Sequence, residues 1–392
     1  MSGSEALSAT DLDDEHEQLR ATVEHFARHQ VAPVIAELYQ RCQFPYALVA
    51  KMGEMGLFGL PFPIDYGGMG GDYFALCLAL EELARVDSSV AITLEAGVGL
   101  GAMPILRFGT EEQKQCWLPD LCAGRTLGAF ALTEPGGGTD AGAARTTARR
   151  SGDHWVLNGS KAFITNSGTD ITALVTVAAV TSPPGAPREL SSIIVPAGAP
   201  GFVVGASYSK VGWCASDTRE LSFSDCRTAA GNLLGTEGRG YAQFLQTLDE
   251  GRVAIAALSV GLAQGCVDEC VHHVGHRRAF GHRIGEYQGL QFKIADMEAR
   301  THVARLAWRD AAARLVAGRP FKRQAAIAKL VASNAAMDNA RDATQVFGGH
   351  GFLNDSAVGR FYRDAKVLEI GEGTSEVQRM VIARELGLPA GP

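Results

Sequence analysis

The chain has no CxxC pair and no cysteine–histidine spacing of the zinc-finger kind. Its eight cysteines (Cys42, Cys77, Cys116, Cys122, Cys214, Cys226, Cys266 and Cys270) are scattered. That pattern excludes a small metal module or a disulfide framework and fits reduced thiols in a cytosolic protein. Positive charge is not in excess: 36 Lys+Arg against 43 Asp+Glu give a formal net charge of −7. General binding to nucleic acid or to an anionic membrane is thereby excluded, while a local arginine cluster could still hold a small polyanion. The most apolar helical run, Val253 to Val267, is closed by Arg252 and Asp268. It is too short to insert in a bilayer and is predicted to be a core helix. Met1 to Asp14 lacks both the apolar stretch of a signal peptide and the basic character of a transit peptide, so a cytoplasmic location is expected. There is no internal repeat and no low-complexity linker.

What remains is an ordinary folded composition, 46% hydrophobic and 20% charged over 392 residues, enough for two or three domains. Residues 1–128 read mainly as helix: Leu19, Val23, Phe26 and Ala27 recur at helical spacing before Pro33, and Tyr73 to Val86 is apolar on most sides. Tyr66 to Gly71 reads as a flexible glycine turn. From 129 to 235 short β-rich runs alternate with Gly, Pro, Asn and Asp, as in Trp155 to Leu157, Ile171 to Val180 and Ser192 to Val195. This predicts an antiparallel β-barrel or sandwich. From 236 to 392 long helices are predicted near 239–275, 286–317, 320–347 and 374–386, a four-helix bundle in which Gly261 and Gly265 favour close helix contacts.

Five segments carry candidate chemistry. Phe130 to Asp140 (FALTEPGGGTD) runs from an apolar strand into three glycines, which suit either an anion-binding nest of backbone N–H groups or a plain hairpin. Lys161 to Asn166 (KAFITN) sets Phe163 beside Thr165, to stack on and bond to a flat ring, or simply to fill a barrel core. Arg277 to Gly281 (RRAFG), followed by Gln288, suits a pyrophosphate or a solvated basic turn. Gln345 to Phe352 (QVFGGHGF) allows a backbone turn against a ligand, or a helix end. Glu369 to Gln378 (EIGEGTSEVQ) holds Glu372 in a glycine-flanked turn before a helix, with Thr374, Ser375 and Gln378 as capping candidates. Alone, Glu372 could equally be an exposed first-turn carboxylate.

These segments, with Ala215 to Leu221 (ASDTREL) and Tyr362 to Gln378 (YRDAKVLEIGEGTSEVQ), resemble the acyl-CoA dehydrogenase family in order and over nearly the whole chain. The resemblance implies an α+β fold of N-terminal all-α domain, central antiparallel β-barrel and C-terminal four-helix bundle. It implies FAD, with Phe130, Leu132, Thr133 and Thr139 facing the flavin and its phosphates, and Phe163 and Thr165 flanking the ring. Arg277, Phe280, Gln288 and the run Gln345, Val346, Phe347, Gly348 and Gly349 would reach the FAD of a neighbouring subunit, and Thr374 and Glu376 its adenine-side phosphates. A homo-oligomer, commonly a tetramer, follows. Substrate contacts map to Thr139, Asp249, Arg252 and Gly373. Arg252 also has a rationale of its own, as a cation for the CoA anion.

The implied reaction is α,β-dehydrogenation of an acyl-CoA thioester. Glu372 would take the α-proton, the β-hydride would go to flavin N5, and a soluble electron-transferring flavoprotein would reoxidise the cofactor. Some relatives carry the base on the helix before the arginine, at the position held here by Gly251, which cannot serve; Glu250 is one residue, about 100°, out of place. Gly371 stands where many relatives have an aromatic residue, which suggests a wider acyl pocket for bulkier or branched chains. Alternatives are a carrier-protein thioester desaturase, an acyl-CoA oxidase and a non-catalytic flavin-binding protein.

Overall fold

The computed structural model describes residues 12–389; most of the N-terminal stretch assessed for targeting lies outside them. The chain begins with α1 (Asp14–Phe26), α2 (Ala32–Gln40), α3 (Tyr46–Glu54), α4 (Tyr73–Ala84), α5 (Ser88–Glu95), α6 (Met103–Phe108) and α7 (Glu111–Cys122). Short polar side chains start four of them. Asp13, Asp72 and Asp87 accept backbone N–H groups at the heads of α1, α4 and α5, and Thr110 with Gln113 forms a capping box on α7. Pro33 does not end the first helical stretch. A π-turn (Ala27–Val31) carries the chain on, and Pro33 falls in the first turn of α2, where a missing N–H is harmless. The 66–71 turn is tightly packed: a Cβ on Gly68 would collide with the Phe62 carbonyl.

Eight strands follow: β1 (Leu127–Ala131), β2 (Thr147–Ser151), β3 (His154–Thr165), β4 (Thr172–Val180), β5 (Leu190–Pro196), β6 (Phe202–Ser207), β7 (Thr218–Ala229) and β8 (Leu233–Leu234). They form one sheet in the order β6-β7-β3-β2-β4-β5-β8, with β1 added to β4. Trp155, Leu157, Val175, Val177, Ile193 and Leu221 fill its interior. The sheet is not antiparallel throughout, because β1 runs parallel to β4. Between them the chain makes the β2–β3 hairpin, and only such a long crossover returns it in the same direction.

The remainder is α8 (Gly240–His276), the hairpin strands β9 (Arg278–Ala279) and β10 (His282–Arg283), α9 (Gln288–Val316), α10 (Lys322–Phe347), α11 (Ala357–Leu368) and α12 (Ser375–Glu385). Helix α11 was not anticipated; its amphipathic stretch, with Val358, Phe361, Ala365 and Leu368 turned inward, is short and follows a glycine-rich turn. α4 is apolar on most sides and buried along its whole length, its Glu81 and Glu82 included. It lies against α8, where Cβ atoms on Gly261 or Gly265 would strike the carbonyls of Glu81 and Arg85. Two helical stretches, Ser88–Phe108 and Gly240–His276, are long and apolar enough to cross a membrane, but most of each is buried in this core. The buried Glu81 carboxylate is satisfied by Trp308 Nε1 at 2.8 Å and Arg305 Nε at 2.7 Å.

Candidate active site

The turn Gly371–Thr374 between α11 and α12 places Glu372 where α5, α8 and α10 converge. Glu372 takes the left-handed backbone conformation (φ 52°), unusual for a residue with a side chain, and Gly373 follows at φ 92°. Several bonds hold this turn. Gln378 Nε2 donates to the carbonyls of Glu372 (3.3 Å) and Gly373 (2.8 Å), and Lys329 Nζ donates to the Gly373 carbonyl at 2.7 Å. Thr374 is the cap of α12, accepting from the Val377 N–H at 3.3 Å. Ser375 is not: its hydroxyl is buried without a partner.

Glu372 as a whole is half-buried, but Oε2 is sealed from solvent and has no hydrogen-bond donor. It lies against α8 at Gly251, where a Cβ would overlap that oxygen. Gly251 therefore makes the space the carboxyl occupies, and one position serves either as a side chain on α8 or as the Glu372 carboxyl, never both. Glu250 faces elsewhere, paired with Arg107 at 3.3 Å. Burial raises the Glu372 pKa to about 7, against the facing Glu95 carboxyl, with which it can share a proton, and the nearby Lys329 and Arg252 charges, which pull it down. Burial likewise lowers Lys329 to about 8, opposed by the Glu372 carboxylate. A carboxylate titrating near 7 beside two cations is poised to accept a proton at neutral pH.

Two residues of this site carried no signal in the motifs. Lys329 sits in an alanine-rich helix and Glu95 in an apolar one, and each reads locally as a surface residue. A lone charge inside an otherwise apolar periodic stretch was the available clue.

Arg252, expected to meet the substrate, lies close to Glu372. Its guanidinium is buried and ion-paired with Asp249. Its Nε is buried without a partner, and its charge acts on Glu372.

The other predicted residues fall into two groups. In the first, the Thr133 carbonyl accepts from Ala162 N at 2.9 Å, which sets Leu132 and Thr133 beside Phe163 and Thr165. Phe130 packs on Phe244 of α8 with ring centroids 4.2 Å apart. Asn166 Nδ2 reaches the Thr93 carbonyl of α5 at 3.0 Å, tying the end of β3 to the helix that carries Glu95. Phe163 has φ 60° and leaves 65% of its surface open, a flat apolar face presented outward rather than a core aromatic. The glycine run is a closed turn in which Glu134 and Gly137 exchange both backbone bonds. The Glu134 carboxylate is taken by Lys161 and the Arg145 and Thr146 N–H groups, leaving Gly136, Gly138 and Thr139 at the exposed rim.

The second group lies at the far end of the bundle. Arg277 caps α8, and Phe280–Gly281, both at positive φ (50° and 85°), form the tip of the β9–β10 hairpin, with Gln288 opening α9. Phe347 stacks on His273 at 4.1 Å, which brings Gln345, Gly348 and Gly349 alongside. Added Cβ atoms on Gly348 and Gly349 would meet nothing, so this backbone is open to a ligand. Val346, by contrast, is buried in the bundle and offers only its backbone. Glu376 is exposed in the first turn of α12.

Family models of the acyl-CoA dehydrogenase N-terminal, middle and C-terminal domains match residues 13–125, 129–226 and 238–387. The chain belongs to the acyl-CoA dehydrogenase family, and is thus an FAD-dependent oxidoreductase of acyl-CoA thioesters. It is 43% identical over 378 residues to the mitochondrial short-chain specific acyl-CoA dehydrogenase of Mus musculus, covering 96% of this chain and 91% of that one. Butyryl-CoA dehydrogenase from Megasphaera elsdenii superposes with a TM-score of 0.93 at 39% identity, covering 96% of this chain and 99% of that one. A chain from a study of the electron transferring flavoprotein of Acidaminococcus fermentans and flavin-based electron bifurcation gives 0.93 at 41% identity, with the same coverage.

Proposed function

We propose that the chain dehydrogenates short acyl-CoA thioesters at the α,β position with Glu372 as the α-proton base. One observation carries this reading: a partnerless carboxyl oxygen, buried in a space that Gly251 keeps clear, on a group whose pKa lies near 7. A thioester α-proton is weakly acidic, so its removal needs a fixed, desolvated base. The turn bonds from Gln378 and Lys329 fix it. The residues present fit FAD: the open face of Phe163, the unobstructed Gly348–Gly349 backbone and the exposed Phe280 are surfaces a flat, phosphate-bearing ligand could cover. In this reading Phe130, Leu132, Thr133, Thr139, Phe163 and Thr165 hold the flavin side. When bound, FAD supplies the acceptor for the β-hydride. Arg277, Phe280, Gln288 and Gln345–Gly349 hold the cofactor of a second copy, with Thr374 and Glu376 nearby. Phe280 (94% exposed), Phe352 (93%) and Phe292 (62%) favour an oligomer, since apolar surface of that extent is normally covered. Electron-transferring flavoprotein as the acceptor is supported by the Acidaminococcus relative, and the cytoplasm is the proposed compartment.

Anaerobic flavin bleaching against an acyl-CoA panel tests the reading. Butyryl-CoA and its neighbours should bleach the flavin; no bleaching by any acyl-CoA would end it. A Cβ on Gly371 would meet only the Val367 carbonyl, at 3.5 Å, so this side of the pocket has room. Branched short chains should therefore be accepted, and strict preference for straight butyryl-CoA would count against that width. With substrate fixed, kcat/KM should fall about tenfold per pH unit below about 7, because the base must be ionised to act and protonation removes it. A flat profile from pH 5.5 to 8 would contradict the assignment.

A further inference from the structure

Four buried polar atoms that lack partners meet at one place: Glu95 Oε1 and Oε2, the Tyr73 hydroxyl and Glu372 Oε2. Glu95, at the C-terminal end of α5, is wholly buried. Two glycines hollow out the meeting point. A Cβ on Gly251 would overlap Glu372 Oε2 and lie 3.7 Å from Glu95 Oε1, and one on Gly99 would lie 2.7 Å from Glu95 Oε1 and 3.2 Å from the Tyr73 oxygen. Among the described residues no cation pairs with Glu95.

We propose that Glu95 is a positioning residue that keeps its own proton and donates it as a hydrogen bond to Glu372, so that Glu372 alone ionises and stands ready as the base. This rests on Glu372 being the base. Two carboxylates cannot both ionise in contact inside a protein, so the pair retains one proton through neutral pH. The surroundings decide which carboxyl holds it. From α10, Lys329 faces Glu372; from α8, Arg252 does too, with Asp249 as its ion partner, and both cations favour charge on Glu372. Glu95 faces only the Glu372 carboxyl and, from α4, Tyr73 and Cys77, while Glu250 of α8 adds a further acidic group near Tyr73. Burial first, and then the Glu372 charge, push Glu95 well above the usual carboxylate range. A donor on Glu95 therefore holds the Glu372 oxygens in place and keeps their pKa from rising further.

The test uses the FAD-loaded enzyme and butyryl-CoA, with Glu95→Leu and the isosteric Glu95→Gln. Loss of a hydrogen bond to a charged group is worth about tenfold. In Glu95→Leu the acid limb of kcat/KM should thus move to higher pH and the rate at pH 6.5 should drop about tenfold. Glu95→Gln, which keeps a donor, should restore the wild-type limb. Infrared spectra at pH 8 give a readout apart from turnover: the wild type should show a protonated carboxyl band that both variants lose. An unmoved limb in Glu95→Leu, equal displacement in both variants, or a band unchanged by Glu95→Gln would each overturn the proposal. If the leucine variant does not fold, the glutamine variant's infrared band still decides. A Glu372→Gln enzyme that turned over normally would instead remove the base itself, a separate failure.

Discussion

Replacing Glu372 with Gln should leave a folded, yellow, FAD-bound protein whose turnover falls at least about a thousandfold, within the range that general-base catalysis supplies. The substitution is close to isosteric, so the turn bonds from Gln378 and Lys329 to the backbone survive it. No other group can step in. Glu250 is committed to Arg107, and Glu95 is held protonated by burial and by its neighbour. Glutamine at 372 also removes the negative charge that sustains Lys329, whose pKa should drop further from about 8. Single-turnover bleaching under anaerobic conditions isolates the chemical step from acceptor chemistry. Turnover within tenfold of wild type would sink the assignment of the base, while tight acyl-CoA binding with no bleaching would support it.

Most of the architecture was legible in the sequence because it rests on periodicity and punctuation. Tyr73 to Val86 read as a helix apolar on most sides, and α4 fills most of that stretch, buried along its length. Gly261 and Gly265 announced a close helix contact, and the carbonyls of Glu81 in α4 and of Arg85 at its C-terminal cap fill it. What did not show was non-local. The parallel pairing of β1 with β4 depends on a crossover, not on either strand's composition. Pro33 looked like a stop but falls where a helix tolerates it, after a π-turn no local rule announced.

The site divides in the same way. Motifs marked Glu372 and the glycine turn around it, because left-handed backbone and helix caps leave sequence traces. They could not reveal that Arg252 is buried beside Asp249, nor that Glu95 and Lys329 face Glu372. Those facts arise where three helices distant in sequence meet.

Gly251→Ala carries the second large effect, and it separates geometry from stability. In mid-helix, alanine is favoured over glycine by about 1 kcal/mol, so the thermal midpoint should hold or rise slightly. Activity should move the other way. The new methyl would occupy the place of Glu372 Oε2, and the carboxyl cannot retreat with its backbone, which Gln378 and Lys329 pin. It can only swing about its side-chain bonds, away from α8 and from Glu95. A displacement of about 1 Å at a catalytic group costs on the order of a hundredfold in rate, so kcat should fall by about that factor with FAD content unchanged. The displaced carboxyl also loses its donor, so the acid limb should shift upward as it does in Glu95→Leu. Full activity in Gly251→Ala would mean that the proton is taken from somewhere other than the space this glycine keeps open.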